Sequence, residues 1–239
     1  MAQELRPDRM LMALLYFFTA VTGLVDAVSY IGLGHVFTAN MTGNVVFLGF
    51  AFAGTPGLSV PRFFAALAAF LFGALIGGHI AASLEPISRH RWTTAAFGTE
   101  AILLLGATLA SVSYQSSSAD ATRLYTVVVL TAAAMGVRNA TVRKIGLPDL
   151  TTTVLTLTIT GLAADSSLAG GSNPRWQRRV LSIVFMFAGA AVGALLLKHS
   201  LALPLAVATL SAVCGVAALF RKRQALEART DAERDKRSA

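Results

Sequence analysis

Apolar stretches fill this chain almost end to end, near residues 10–34, 36–55, 62–84, 93–113, 122–145, 150–168, 178–198 and 201–220. Roughly 20 apolar residues suffice to carry an α-helix across the ~30 Å hydrocarbon core of a bilayer. In hydrocarbon every backbone N–H and C=O must be paired within the protein, which restricts runs of this kind to helices. Composition agrees. Of 239 residues, 55% are hydrophobic and only 13% charged, where a soluble domain carries about 25% charge, and mean hydropathy is +0.64. The expected fold is an all-α, polytopic transmembrane helix bundle. Residues 1–220 form one domain and 221–239 a basic cytoplasmic tail.

The 20 Lys and Arg outnumber the 12 Asp and Glu, but about a third of the basic residues lie beyond Phe220. A basic cluster just past a last span fits the positive-inside rule and anionic headgroups. The tail has no interleaved aromatics, so nucleic acid is not an expected partner. The N-terminal apolar run is too long for a signal-peptide core and lacks a small-x-small cleavage pattern, so it reads as a retained first span. Cys214 is the one cysteine, expected as a small buried hydrophobe, with no disulfide framework. His35, His79, His90 and His199 lack ligand spacing, so no metal site is expected. No nucleotide-binding fingerprint or nucleophile–base set is present, so no cofactor, no catalytic residue and no enzyme activity are expected.

The segments also repeat. Gly23 and Ala27 are echoed by Gly136 and Ala140, Gly32-Leu33 by Gly146-Leu147, and Thr38 and Thr42 by Thr152 and Thr156. Gly73-Ala74-x-x-Gly77 returns as Gly189-Ala190-x-x-Gly193, and the separation grows only from 113 to 116 positions. The shared order implies two halves of four segments, about 10–113 and 122–220. Internal repeats are common in transporters, whose sites lie between the halves. If all eight segments crossed, the loops with Arg89 and Arg91 and with Arg143 and Lys144 would fall outside, and the Lys/Arg bias would nearly vanish. If the second and sixth segments enter and return on one face, those loops join Arg175, Arg178 and Arg179 inside. Chiefly Arg62, Arg123 and Lys198 are then left outside. The second arrangement obeys the positive-inside rule. It predicts two inverted repeats of three spans, each with one short re-entrant or broken segment, and both termini cytoplasmic. Trp92 and Trp176 would mark the inner interface, and Tyr114 and Tyr125 the outer one.

The two short segments are unlike lipid-facing helices. In the second, Thr38 and Thr42, and Asn40 and Asn44, lie four apart, giving two polar rows that should face protein or water. In the sixth, Thr156, Thr158 and Thr160 alternate with apolar residues at period two. A lone strand cannot cross lipid, so this segment is either a helix whose Thr hydroxyls bond back to their own carbonyls or irregular backbone lining a cavity.

On the first span Thr19, Thr22, Asp26 and Tyr30 share one helical face. A carboxylate costs several kcal/mol at the bilayer centre, which makes Asp26 a candidate functional residue. Glu100 sits roughly 12 Å into the fourth span. Two intramembrane carboxylates suit proton coupling, or binding of a cation or amine. Arg138, beside Asn139, is the candidate basic partner in the membrane, unless it snorkels to the headgroups. Gly73-x-x-x-Gly77 and Gly189-x-x-x-Gly193 let helices approach closely. The phenylalanines Phe63, Phe64, Phe70 and Phe72 face lipid or core.

The run Gly23-x-x-Asp26-Ala27, then Gly32, then Phe37-x-Ala39-Asn40-x-Thr42-Gly43-Asn44, with the later Asp149-Leu150-Thr151-Thr152 and Thr156, resembles the YoaK family of bacterial membrane proteins, grouped as a domain of unknown function. Nearly the whole chain to about Phe220 takes part. The family pattern reads Leu-Thr-Gly where this chain has Leu155-Thr156-Leu157. The resemblance implies a bacterial inner membrane and about six spans, and supplies no substrate. The residues themselves read as a small-molecule permease or channel-like transporter. Asp26 would take the coupling proton or a cationic group, and Tyr30 shares its face. Asn40, Thr42 and Asn44 would offer neutral hydrogen bonds, and Gly43 close backbone approach. Thr152 and Thr156 would do the matching work from the second half, with Glu100, Arg138 and Asn139 nearby. The alternative is a non-transporting scaffold or accessory subunit that binds a partner helix or lipid.

Overall fold

In the computed structural model the described residues are 9–85, 88–112, 121–147, 152 and 155–238. They contain no strand. Helix α1 (Arg9–Ala27) runs on through a π-helical turn, Val28–Gly32. It is followed by α2 (Met41–Phe52), α3 (Val60–Leu84), α4 (Arg89–Ser111), α5 (Ala121–Ile145), α6 (Thr156–Ala164), α7 (Trp176–Leu197) and α8 (Ala202–Ser238). Six helices are long and apolar enough to cross a membrane: α1 with its π turn, α3, α4, α5, α7 and the first part of α8. The remaining two, α2 and α6, have 12 and 9 residues. At 1.5 Å per residue they reach about 18 and 14 Å, half the hydrocarbon thickness.

Small residues set the helix pairs. Gly189 and Gly193 of α7 lie against Ala20 and Leu24 of α1, and Gly73 and Gly77 of α3 lie against Ala133 and Val137 of α5. A Cβ at Gly193 would sit 2.8 Å from the Leu24 carbonyl oxygen, and one at Gly77 would sit 2.9 Å from that of Val137. Both contacts advance in step along the two chains, so each pair runs parallel. The close approach expected of the two glycine motifs is therefore realised, each motif meeting a helix of the other half. By contrast α4 is antiparallel to α5, because Glu100 meets Arg138 and Gly106 meets Leu130. Helix α8 is antiparallel to α1, with Gly215 at Phe18 and Leu201 at Gly32. It also crosses α4 where the Thr108 and Thr209 hydroxyls lie 2.9 Å apart.

These directions put the starts of α1, α4 and α7 and the ends of α3 and α5 at one end of the bundle. There the Arg178 guanidinium reaches Met12 at 3.4 Å and Lys144 pairs with Glu85 at 2.8 Å. Arg89, Arg91, Arg143, Arg175 and Arg179 share that end, while Arg62, Arg123 and Lys198 lie at the other.

Large apolar side chains such as Phe64, Phe72, Leu75, Phe187 and Leu195 are more than half exposed. Such a girdle suits hydrocarbon surroundings. Phe63, in contrast, is fully buried, and Phe70 packs against the core. Trp92 departs from expectation: it is 2% exposed and packs with Leu15, Phe18 and Phe97 instead of marking an interface. Trp176 is half exposed at the basic end. Tyr125 lies one turn into α5 at the opposite end, and Tyr114 lies outside the described residues. Cys214 is exposed on α8, on the outer side of the helix.

Candidate functional site

The site begins where α1 stops being α-helical. After the π turn, Gly34 (φ +82°) and His35 (φ +64°) adopt left-handed backbone and reverse the chain. The Gly34 carbonyl accepts a 2.7 Å hydrogen bond from the Arg62 guanidinium, which ties the turn to α3. Residues 36–40 then run back alongside α1. The Asp26 carboxylate accepts from the amides of Thr38 (3.3 Å) and Ala39 (2.8 Å). Asp26 lies six residues, or about 9 Å, before the end of the span, so the chain re-enters to that depth before α2 starts.

The Asn-x-Thr-Gly-Asn segment builds this re-entry. Asn40 is the N-cap of α2, its side chain accepting from the Gly43 amide at 3.3 Å. Asn44, fully buried, grips Phe37 twice, accepting from its N–H at 2.9 Å and donating to its carbonyl at 2.5 Å. Thr38 and Asn40 precede the helix, so the two polar rows expected at helical spacing do not form as rows. Gly43 leaves space for the Phe37 ring, which would stand 2.9 Å from a Cβ there. The sixth segment resolves as a helix from Thr156, with Thr158 buried and Leu157 and Ile159 exposed.

A cavity of about 790 Å³ lies between α1, α2, α6 and α7. Asp26 and Tyr30 line it from α1, Asn40, Thr42 and Gly43 from the start of α2, and Thr156 from the start of α6. Both short helices thus begin at one cavity. Asp26 is the sole charged side chain among the described lining residues. Tyr30 stacks on Phe37 at 4.9 Å, and Phe37 on Phe47 at 6.1 Å, making an aromatic wall. Met186 and Ala190 of α7 close the far side.

Other candidate residues lie apart from this space. Asn44 is buried on the Phe37 backbone and is not among the lining residues. Thr152 (φ +61°) is buried off the lining, and its hydroxyl, like that of Thr38 in the matching position, has no hydrogen-bond partner among the described residues. Asn139, which aligns with Asp26 at the repeat spacing, donates to the Met135 carbonyl at 2.8 Å. Asp149, Leu150 and Thr151 lie outside the described residues. Glu100 and Arg138 form a fully buried ion pair. Arg138 also donates to the Phe18 carbonyl (3.0 Å) and the Thr22 hydroxyl (3.1 Å), and its guanidinium stands 4.9 Å from the centre of the Phe18 ring. The pair is thus bound into the bundle, and neither residue lines the cavity at Asp26; Arg138 neither snorkels nor meets Asp26. Sequence reasoning passed over Phe47, Met186 and Ala190 as site residues. Ala190 sits in the repeated Gly-Ala-x-x-Gly motif, which was the available signal.

Six membrane-length helices, two half-length helices and an apolar outer surface define a multi-pass α-helical membrane protein. The chain belongs to the family described as "Protein of unknown function (DUF1275)", which matches residues 14–220. It is 32% identical over 154 residues to the "UPF0700 transmembrane protein YoaK" of Bacillus subtilis (strain 168), an alignment covering 64% of this chain and 66% of that relative. The match therefore spans just under two thirds of the relative's length. The family resemblance read from residues 23–44 holds. No solved structure matches the chain.

Proposed function

We propose that the protein is a small-molecule permease of the bacterial inner membrane, with the basic end and both termini in the cytoplasm. The observation that carries this reading is the shared cavity, where the starts of α2 and α6 meet beside Asp26 at membrane depth. Half-length helices beginning at an internal site are how transporters present polar backbone to a substrate without exposing it to lipid. The opposed directions of α1 and α5, and of α4 and α8, support a reading of the halves as inverted repeats.

The packing also refines how access would alternate. Each half contributes one helix to each glycine-packed pair, so the moving bodies are the α1–α7 and α3–α5 pairs. Neither sequence half moves as a unit. Catalysis has no place in this reading.

The test is labelling by a membrane-impermeant maleimide in oriented vesicles, with Cys214→Ser as background and Thr42→Cys or Thr156→Cys as reporters. Labelling of the same reporter from both faces supports alternating access. Protection from both faces sinks it and favours the second reading, a scaffold whose partner fills the cavity through its exposed apolar rim of Ile31, Val46 and Ile159.

A further inference from the structure

Among the described residues the cavity pairs one carboxylate, Asp26, with a wall of aromatic rings and has no basic side chain on its lining. Asp26 sets a carboxyl group on this cavity, where an uncompensated anion is expensive, and the amides of Thr38 and Ala39, both neutral, donate to it. Tyr30, Phe37 and Phe47 line the same cavity as Asp26, with Phe37 stacked on both of the other rings. The negative ring faces attract a cation that has left water. Besides the polar Asn40, Thr42 and Thr156, the lining is largely aliphatic, with Ile31, Val46, Ile159 and Met186 supplying contact for an apolar body.

The start of α6 brings the opposing influence. A helix N-terminus carries at most about half a positive charge, against the unit negative charge that an ionised carboxylate brings. The α2 start is capped internally by Asn40. The α6 side therefore receives the uncharged end of a ligand, where the Thr156 hydroxyl can hydrogen-bond.

We infer that the cavity binds organic monocations, an amine or quaternary ammonium carrying an apolar body, with the nitrogen at Asp26 and the aromatic wall. This deepens the permease reading and rests on it for the cavity's purpose, while its own content is the ligand's charge.

The experiment is equilibrium binding of labelled benzyltrimethylammonium to the purified protein in phosphatidylcholine nanodiscs, with competition by neopentylbenzene, its neutral carbon isostere, and by benzenesulfonate. Wild type is expected to bind the cation at least about 10-fold more tightly than either competitor, the size of a desolvated cation–π contact beside an opposite charge. Asp26→Asn keeps an oxygen for the Thr38 and Ala39 amides and should lose roughly that factor. Phe47→Leu should weaken the cation about threefold more than it weakens the neutral isostere. Because the quaternary nitrogen cannot titrate, protonation of the ligand does not enter. The charge comparison within wild type needs no variant, so a poorly folded Asp26→Asn protein leaves the test intact. Equal affinity for cation and isostere, preference for the sulfonate, or no cation binding by wild type overturns the inference. Flux of the same cation into proteoliposomes tests the permease reading separately: binding without flux removes transport and keeps the ligand class.

Discussion

Arg138 and Glu100 form an ion pair in which neither side chain has any solvent exposure, and the arginine joins α5 not only to α4 but also to α1 through the Phe18 carbonyl and the Thr22 hydroxyl. Three helices from both halves therefore share one buried cation. Burying a pair of charges gives little net stability, whereas stranding one of them is costly. The pair accordingly specifies how the halves fit together more than it strengthens the fold.

Removing the carboxylate by Glu100→Leu leaves Arg138 charged in the bundle and should destabilise the protein by about 3–5 kcal/mol. Glu100→Gln, which retains an acceptor, should cost clearly less. Thermal unfolding in detergent checks the order. If the double variant Glu100→Leu with Arg138→Met were no more stable than Glu100→Leu alone, the stranded-charge account would be wrong.

The glycine contacts make a paired prediction. Gly189→Ala and Gly73→Ala drive a methyl group into the backbone of Ala20 and Ala133, which cannot step aside as a flexible side chain would. Each should cost about 1–3 kcal/mol, with similar loss of melting temperature. Gly98→Ala and Gly78→Ala meet nothing within 4 Å and should leave the melting temperature unchanged or higher.

Asn44 uses both ends of its amide on Phe37. Asn44→Asp keeps the acceptor but sets an anionic oxygen against the Phe37 carbonyl in a fully buried place. It should be worse than Asn44→Ala, which we expect to cost about 1–3 kcal/mol. Expression level and melting temperature of the three proteins decide the ranking.

Asp26 holds the re-entrant chain by accepting from two amides. Asp26→Leu should speed hydrogen exchange at Thr38 and Ala39 by roughly 10-fold or more, as a lost charge-assisted hydrogen bond implies. Asp26→Asn should stay close to wild type. Slow exchange in Asp26→Leu would mean that the loop is held by Asn44 and Arg62 alone.

Length and hydropathy were enough to read an all-α membrane bundle, because hydrocarbon leaves the backbone no other way to pair its polar groups. The distribution of arginine and lysine favoured second and sixth segments that enter and return on one face, since charge bias between loops depends on chain order and not on packing, and their helices have 12 and 9 residues. Asp26 stood out because an acid in an apolar span is visible from composition alone. Asn40 and Asn44 were legible as important but not in their roles, since capping and gripping Phe37 depend on where the helix starts, which no spacing rule sets to the residue.

Only the tertiary structure decided that Arg138 faces Glu100 and not Asp26, that Trp92 is buried, and that Cys214 is not. It also decided that the starts of α2 and α6, more than a hundred positions apart, share one cavity. Local periodicity tells a residue which side of its own helix it occupies. Which helix that side meets is set by rotation and register between distant segments, and here those are fixed by glycine against backbone on two helix pairs.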